Sequence, residues 1–222
     1  DDPKNKRIHS TYKNNISNLS KNQIDIIEGY KNLPDDFMWK VYGLGQRGAA
    51  KELIYTQWQI CDELPGKGDV FYGLDFGYNH PAAFTKIEYY EGAHYVQELI
   101  YESGLTLTEL LNKIKSFEIG KGTIYADAAE PKSIEEIYRA GINIKPANKD
   151  VWAGILKVKS FPLYITKGSI NGQKELQSYK WKKDKADNII DEPIKANDDF
   201  CDSVRYGIYN YHDSPKFVVA VA

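Results

Sequence analysis

Apolar residues in this chain fall into short runs whose period changes along its length, and the pattern becomes regular near residue 69. Val70 to Asp75 is an apolar run closed by a carboxylate, as expected of a buried strand. Ala83 to Tyr90 and His94 to Tyr101 alternate apolar and polar positions, and Glu91–Gly92 between them predicts a hairpin turn. Thr106 and Glu109 form a capping box, after which Leu107, Leu110, Leu111 and Ile114 recur at helical spacing. Thr123 to Asp127 predicts a short strand, and Pro131 opens a helix that Gly141 closes. Further on, Ile142 to Lys145 and Leu163 to Thr166 read as strands, and Val151 to Val158 and Gln173 to Tyr179 as helices. Tyr179 to Lys183 and Ile189 to Ile194 form a hairpin with a polar tip at Asp184 to Asn188, and a last helix covers Asn197 to Tyr211.

The first 60 residues differ. Ser20 and Gln23 make another capping box ahead of Ile24, Ile26, Ile27 and Tyr30, but Pro34–Asp36, Gly43, Gly45 and Gly48 then predict loops. The chain is accordingly divided into 1–60, a segment with little core of its own, and 61–222, the main domain. In that domain an antiparallel meander of three strands feeds crossover units. This order predicts a mixed α/β sheet with helices on its faces and a β-hairpin insertion, the ribonuclease-H-like arrangement. The first strand is then central with the fourth beside it, so Asp75 and Asp127 become neighbours, and the final helix brings a third carboxylate.

That juxtaposition carries the chemistry. Carboxylates at adjacent strand ends repel, and a divalent cation relieves the repulsion; all-oxygen ligation suits Mg²⁺ or Mn²⁺. Each acidic residue also has a simpler role open to it. Asp75 alone could close a strand end, Glu130 could serve the first turn of its helix, and Asp198 and Asp199 could cap the last helix.

Composition narrows the classes. Of the 222 residues, 42% are hydrophobic and 13% aromatic, a folded rather than a disordered chain. No apolar run approaches the roughly 20 residues that span a bilayer, and the start Asp1–Arg7 has no apolar signal region. The two cysteines, Cys61 and Cys201, make no CxxC pair, which argues against structural zinc and for a reducing compartment. A net charge of −2 makes any nucleic-acid affinity a matter of local patches. Gly66–Lys67–Gly68 lacks the upstream glycine and the hydroxyl residue of a phosphate-binding loop, so no ATPase activity is expected.

Gly73–Gly77, Ala126–Ile134 and Asp199–Tyr206 together resemble the nuclease part of the large terminase subunit of tailed bacteriophages. His9–Asn15 looks like the tail of that family's ATPase domain, and Leu44–Gln46 like the start of the interdomain link. The resemblance implies a metal-dependent DNA endonuclease of a packaging motor, with Asp75, Asp127 and Asp202 as catalytic, metal-binding carboxylates and two Mg²⁺ or Mn²⁺ ions. Asp199, one helical turn before Asp202, is a further candidate ligand; many family members have His at this position. Lys180, Lys182 and Lys183 of the hairpin would contact DNA backbone, as would Lys132, Lys149 and Arg205. For Arg205, pairing with a carboxylate to hold the last helix is an equal alternative, and the hairpin lysines could be a solvated face. Double-stranded DNA, a portal protein and a small terminase subunit are the implied partners, with no membrane; the implied place is the host cytoplasm during virion assembly. Rival readings are an actin-like or sugar-kinase-like nucleotide-binding protein, a junction resolvase or transposase, and a non-catalytic portal-docking module.

Overall fold

The computed structural model describes residues 9–32, 39–45, 53–185 and 188–213. The chain divides into two compact units, 1–52 and 53–222, whereas the sequence pattern suggested 60/61. Ile54 and Tyr55 account for the earlier division: both are buried in the core of the second unit, and the Ile54 amide donates to the Tyr179 carbonyl at 2.9 Å. Pro34–Asp36 and Gly48, expected in loops, and Gln46 of the expected link lie outside the described residues.

In the first unit a 3₁₀ segment, Tyr12–Asn18, precedes helix α1, Lys21–Gly29. The Ser20–Gln23 capping box starts α1 as the sequence predicts. Tyr12 donates its hydroxyl to Glu28 and packs edge-on against Trp39 at 6.2 Å between ring centres.

The second unit is built on a seven-stranded sheet. Its strands are β1 (Gln59–Cys61), β2 (Asp69–Asp75), β3 (Ala82–Tyr90), β4 (Ala93–Glu102), β5 (Ile124–Ala126), β6 (Ile144–Pro146) and β7 (Leu163–Thr166). Their spatial order is β1-β7-β4-β3-β2-β5-β6. The β2–β3–β4 meander is antiparallel, and β5, β6, β7 and β1 join it in parallel. Glu91 and Gly92 both have positive φ, 49° and 79°, as a tight primed turn requires. A separate two-stranded ribbon, β8 (Trp181–Lys183) and β9 (Ile189–Pro193), forms the expected hairpin; Ala186 and Asp187 at its tip lie outside the described residues.

Helices α2 (Leu107–Ser116) and α3 (Pro131–Arg139) supply Leu110, Ile114, Ile134 and Ile137 to a core built on Tyr72, Leu74 and Phe84. On the opposite face, α4 (Val151–Lys159), α5 (Ile170–Ser178) and α6 (Asp199–Asp213) pack Ile155, Leu176, Phe200 and Val204 with Phe71 and Ile87. Side chains alternate along a strand, so Phe71, Gly73 and Asp75 share the face toward α6, while Tyr72 and Leu74 face α2 and α3. Each fully buried aliphatic or aromatic side chain in these layers contributes about 1.5–3 kcal/mol.

Helix α6 lies unusually close to β2 because glycines face each other there. A Cβ on Gly73 would stand 1.9 Å from the Ser203 carbonyl oxygen, and one on Gly207 would stand 3.4 Å from the Gly73 nitrogen. The Thr85 and Ser203 hydroxyls, buried beside this contact, hydrogen-bond at 2.8 Å. This close seat brings the first turn of α6 level with the end of β2.

Candidate active site at the ends of the central strands

Asp75 is the last residue of β2, and Asp127 follows β5 directly. The two strands are hydrogen-bonded neighbours, and the Asp127 amide donates to the Leu74 carbonyl at 3.0 Å. The first turn of α6 supplies Asp199 and Asp202, three residues apart and therefore on one side of the helix. Together with Asp198 these five carboxylates line one open cavity of about 460 Å³, along with His80, Lys149, Lys195, Arg205 and Tyr206.

The electrostatics follow from that crowding. Burial, reinforced by Asp202, Asp127, Asp199 and Asp198, pushes the Asp75 carboxyl up to about 9. Burial and the neighbouring Asp202 also raise Asp198 and Asp199. Cations answer only part of this charge. Lys149 Nζ sits 2.6 Å from Asp127 Oδ1, which also accepts from the Ala129 amide at 3.0 Å. Lys195 Nζ lies 3.7 Å from Asp202 Oδ2 and 3.8 Å from Asp198 Oδ2, and the latter oxygen is buried without a hydrogen-bond donor. Among the described residues, no three acidic, His or Cys side chains stand in a metal-ligating arrangement as they are placed. The main chain brings the carboxylates to one cavity, while several side chains turn to Lys149, Lys195 and Arg205.

The cavity thus unites Asp75, Asp127, Asp199, Asp202, Lys149 and Arg205 of the predicted set. Arg205, however, is 1% exposed. It donates Nε and Nη2 to Asp202 Oδ1 at 3.2 and 2.9 Å, and its stem fills the space left by Gly154, where a Cβ would meet Arg205 Cγ at 2.7 Å. The structural alternative for Arg205 fits this placement; direct contact with a DNA phosphate does not. Lys132 lies outside the acidic cavity, in a surface hollow with Glu135, Glu136 and Arg139. Lys180, Lys182 and Lys183 belong to the β8–β9 region and do not line the cavity; Lys182 pairs with Glu192 on the opposite strand. Glu130 stands at the start of α3 but makes no side-chain cap, and instead accepts from the Ser133 hydroxyl at 3.3 Å.

Lys195 and His80, which the sequence pattern did not single out, and Asp198, read there only as a helix cap, also line the cavity. Asp198 had been explained as a helix cap, and Lys195 stands in the connection between hairpin and helix, which has no periodic signal. The Gly66–Lys67–Gly68 turn is already committed. Its three amides donate to Glu88 at 2.6–2.8 Å. Burial pushes the Glu88 carboxyl up, but these donors outweigh it and hold the group below its usual range. Those amides cannot also cradle a phosphate.

A mixed sheet of this order, with acidic residues at the ends of its central strands and at the start of the last helix, defines a ribonuclease-H-like domain. The chain belongs to the Terminase RNAseH like domain family, whose model matches residues 75–210. It is similar in structure to the large terminase of a thermophilic bacteriophage, with TM-score 0.75 and 25% identity, covering 92% of this chain and 54% of that one. The chain therefore spans about half the length of that relative. The nuclease domain of the bacteriophage SPP1 large terminase, solved with bound Mn, matches with TM-score 0.63 and 20% identity over 73% of this chain and 99% of that one. The large terminase nuclease of thermophilic phage G20c, solved with bound cobalt, matches with TM-score 0.56 and 16% identity over 72% and 98% of the two chains. No curated protein sequence matches.

Proposed function

We propose that this chain is the nuclease part of a phage DNA-packaging motor, a divalent-metal-dependent endonuclease that cuts concatemeric double-stranded genome DNA. The observation that carries this reading is the meeting of five carboxylates in one solvent-open cavity whose charge Lys149, Lys195, Arg205 and His80 offset only in part. The fit to hard divalent cations rests on that donor set: all oxygen, mutually repelling, with the buried Asp198 Oδ2 lacking a donor. Metals in the related SPP1 and G20c structures support the same reading.

Asp75, Asp127 and Asp202 would hold the ions, with Asp75 between the other two and Asp199 as a further ligand. Two Mg²⁺ or Mn²⁺ ions held there would supply an acidified attacking water and neutralise charge on the scissile phosphate and departing 3′ oxygen. Arg205 acts behind Asp202, fixing one carboxylate oxygen so that the other faces the cavity. Lys149, at the cavity wall beside Asp127, would meet DNA phosphate, with Lys180, Lys182 and Lys183 of the hairpin region and Lys132 as outlying backbone contacts. Products would carry 5′-phosphate and 3′-hydroxyl ends. Residues 1–60 would be the tail of an ATPase domain and its link. The motor itself, with a portal protein and a small terminase subunit, would act with this nuclease in the host cytoplasm.

The test is cleavage of supercoiled plasmid with Mg²⁺, Mn²⁺ or EDTA. Nicking and linearisation that need metal and vanish in Asp75→Asn are expected. A folded Asp75→Asn protein that cuts at the unmodified rate would overturn the assignment.

A further inference from the structure

Helix α6 carries acidic residues in its first turn whose side chains line the cavity; Asp199 accepts its own amide, and the Phe200 and Cys201 amides of that turn need another acceptor. Glu175 provides it from a different helix. Its carboxylate, in a residue 3% exposed, accepts the Cys201 amide on Oε2 at 3.0 Å and is also bonded by the Phe200 amide. Its Oε1 accepts the Tyr101 hydroxyl at 2.7 Å. Helix α5 is itself tied to the sheet: Glu98 of β4 accepts the Gly172 amide and the Asn171 side-chain amide, each at 2.8 Å. Gly172 then leaves room for the Phe200 ring, whose nearest carbon would stand 2.5 Å from a Cβ there.

From this we infer that Glu175 is a positioning residue for the nuclease site, a cap supplied by α5 that fixes the first turn of α6 and so the placement of Asp199 and Asp202 against Asp75. A carboxylate suits the place because it can accept from all three donors at once; an amide of the same length can still accept both helix amides on its oxygen and turn its NH2 to the Tyr101 hydroxyl. Asp199 and Asp202 are thereby spared the Phe200 and Cys201 amides. A negative group beside a negative site is tolerable because its charge is spent on amides at the positive end of the helix. The inference rests on the nuclease reading only for its consequence; the cap itself can be measured without metal.

The experiment compares the unmodified chain with Glu175→Ala, Glu175→Asp and Glu175→Gln, reading amide hydrogen exchange at Phe200 and Cys201 in EDTA and Mn²⁺ affinity by calorimetry. Glu175→Asp keeps the charge but draws it back by one methylene. It should speed exchange at both amides and weaken Mn²⁺ binding about 10- to 100-fold, as loss of an outer-shell partner does. Glu175→Ala should do the same or more. Glu175→Gln can accept the helix amides and donate to Tyr101, and should stay within about threefold of the unmodified chain. If Glu175→Ala does not fold, Glu175→Asp and Glu175→Gln decide the matter. Unchanged exchange in Glu175→Asp, or a folded Glu175→Gln as impaired as Glu175→Asp, overturns the inference. Faster exchange in Glu175→Asp with no Mn²⁺ binding by the unmodified chain would uphold the cap and overturn the nuclease reading instead.

Discussion

The two ends of α6 differ in their electrostatics, neutral and aromatic at one and crowded with carboxylates at the other. At its last turn His212 meets His94, Nε2 to Nε2 at 3.0 Å, and stacks on Phe161 with 4.4 Å between ring centres. Burial, with His212 beside it, holds His94 down at about 3, so His94 is neutral and shares a hydrogen bond with His212 within the fold. Next to it Tyr211 stacks on Phe71 at 4.2 Å and donates to Asp69 at the start of β2. At the first turn, by contrast, Asp199 and Asp202 join Asp75, Asp127 and Asp198, and burial with those neighbours pushes Asp75 up to about 9. One end is packed with neutral and aromatic groups, though His94 Nδ1 is buried there without a hydrogen-bond partner. The other crowds carboxylates, and under the proposed function that asymmetry along a single helix separates the structural from the metal-binding end.

The largest effect expected is on cleavage: Asp75→Asn removes it to background in the plasmid assay while leaving the fold intact. Next comes Gly73→Ala. Its Cβ would run into the Ser203 carbonyl, so the substitution should lower unfolding free energy by about 2–3 kcal/mol in urea titrations, with metal binding weakened as α6 is pushed away.

The pH dependence should distinguish the two ends directly. An unfolded carboxyl releases its proton near 3.8, but folded Asp75 keeps it up to about 9. The folded state binds more protons across that window, so this contribution is full below 3.8 and is lost as pH rises toward 9. His94 works the other way. The unfolded side chain protonates near 6.5 and the folded one only near 3, so its contribution stands above 6.5 and is lost as pH falls toward 3. In EDTA, urea unfolding of Asp75→Asn should lose the decline as pH rises from 3.8 toward 9, and His94→Phe should lose the decline as pH falls from 6.5 toward 3. Swapped or unchanged slopes would contradict the assignment of crowded charge to one end and neutrality to the other. Mn²⁺ should tighten with rising pH, since binding must release the Asp75 proton.

The smallest effect falls on the cations. Lys149→Ala should reduce the salt slope of DNA binding by about one unit with little dependence on base sequence. A change in base preference instead would show that Lys149 reads bases.

Much of this was legible in the chain. Alternation in Ala83–Tyr90 and His94–Tyr101, the Thr106–Glu109 box, and Pro131 with Gly141 each mark an element by local chemistry, and β3, β4, α2 and α3 lie there. Asp75 and Asp127 could be paired because strand order follows from connection rules. Strand β1 could not be seen: its three residues have no apolar run, and they form a strand only because β7 offers an edge to pair with. The burial of Arg205 depends on a missing side chain at Gly154, on another helix far away in sequence. The cap that Glu175 gives to α6 is likewise a contact between helices, while the sequence rules for caps look only a few residues upstream.

The most direct test of the central claim is anomalous diffraction from crystals of this chain grown with Mn²⁺. Peaks held by Asp75, Asp127 and Asp202, with Lys149 displaced from Asp127, are the expected result. A map with no Mn²⁺ in this cavity at millimolar metal, or with Mn²⁺ bound only elsewhere, would contradict it.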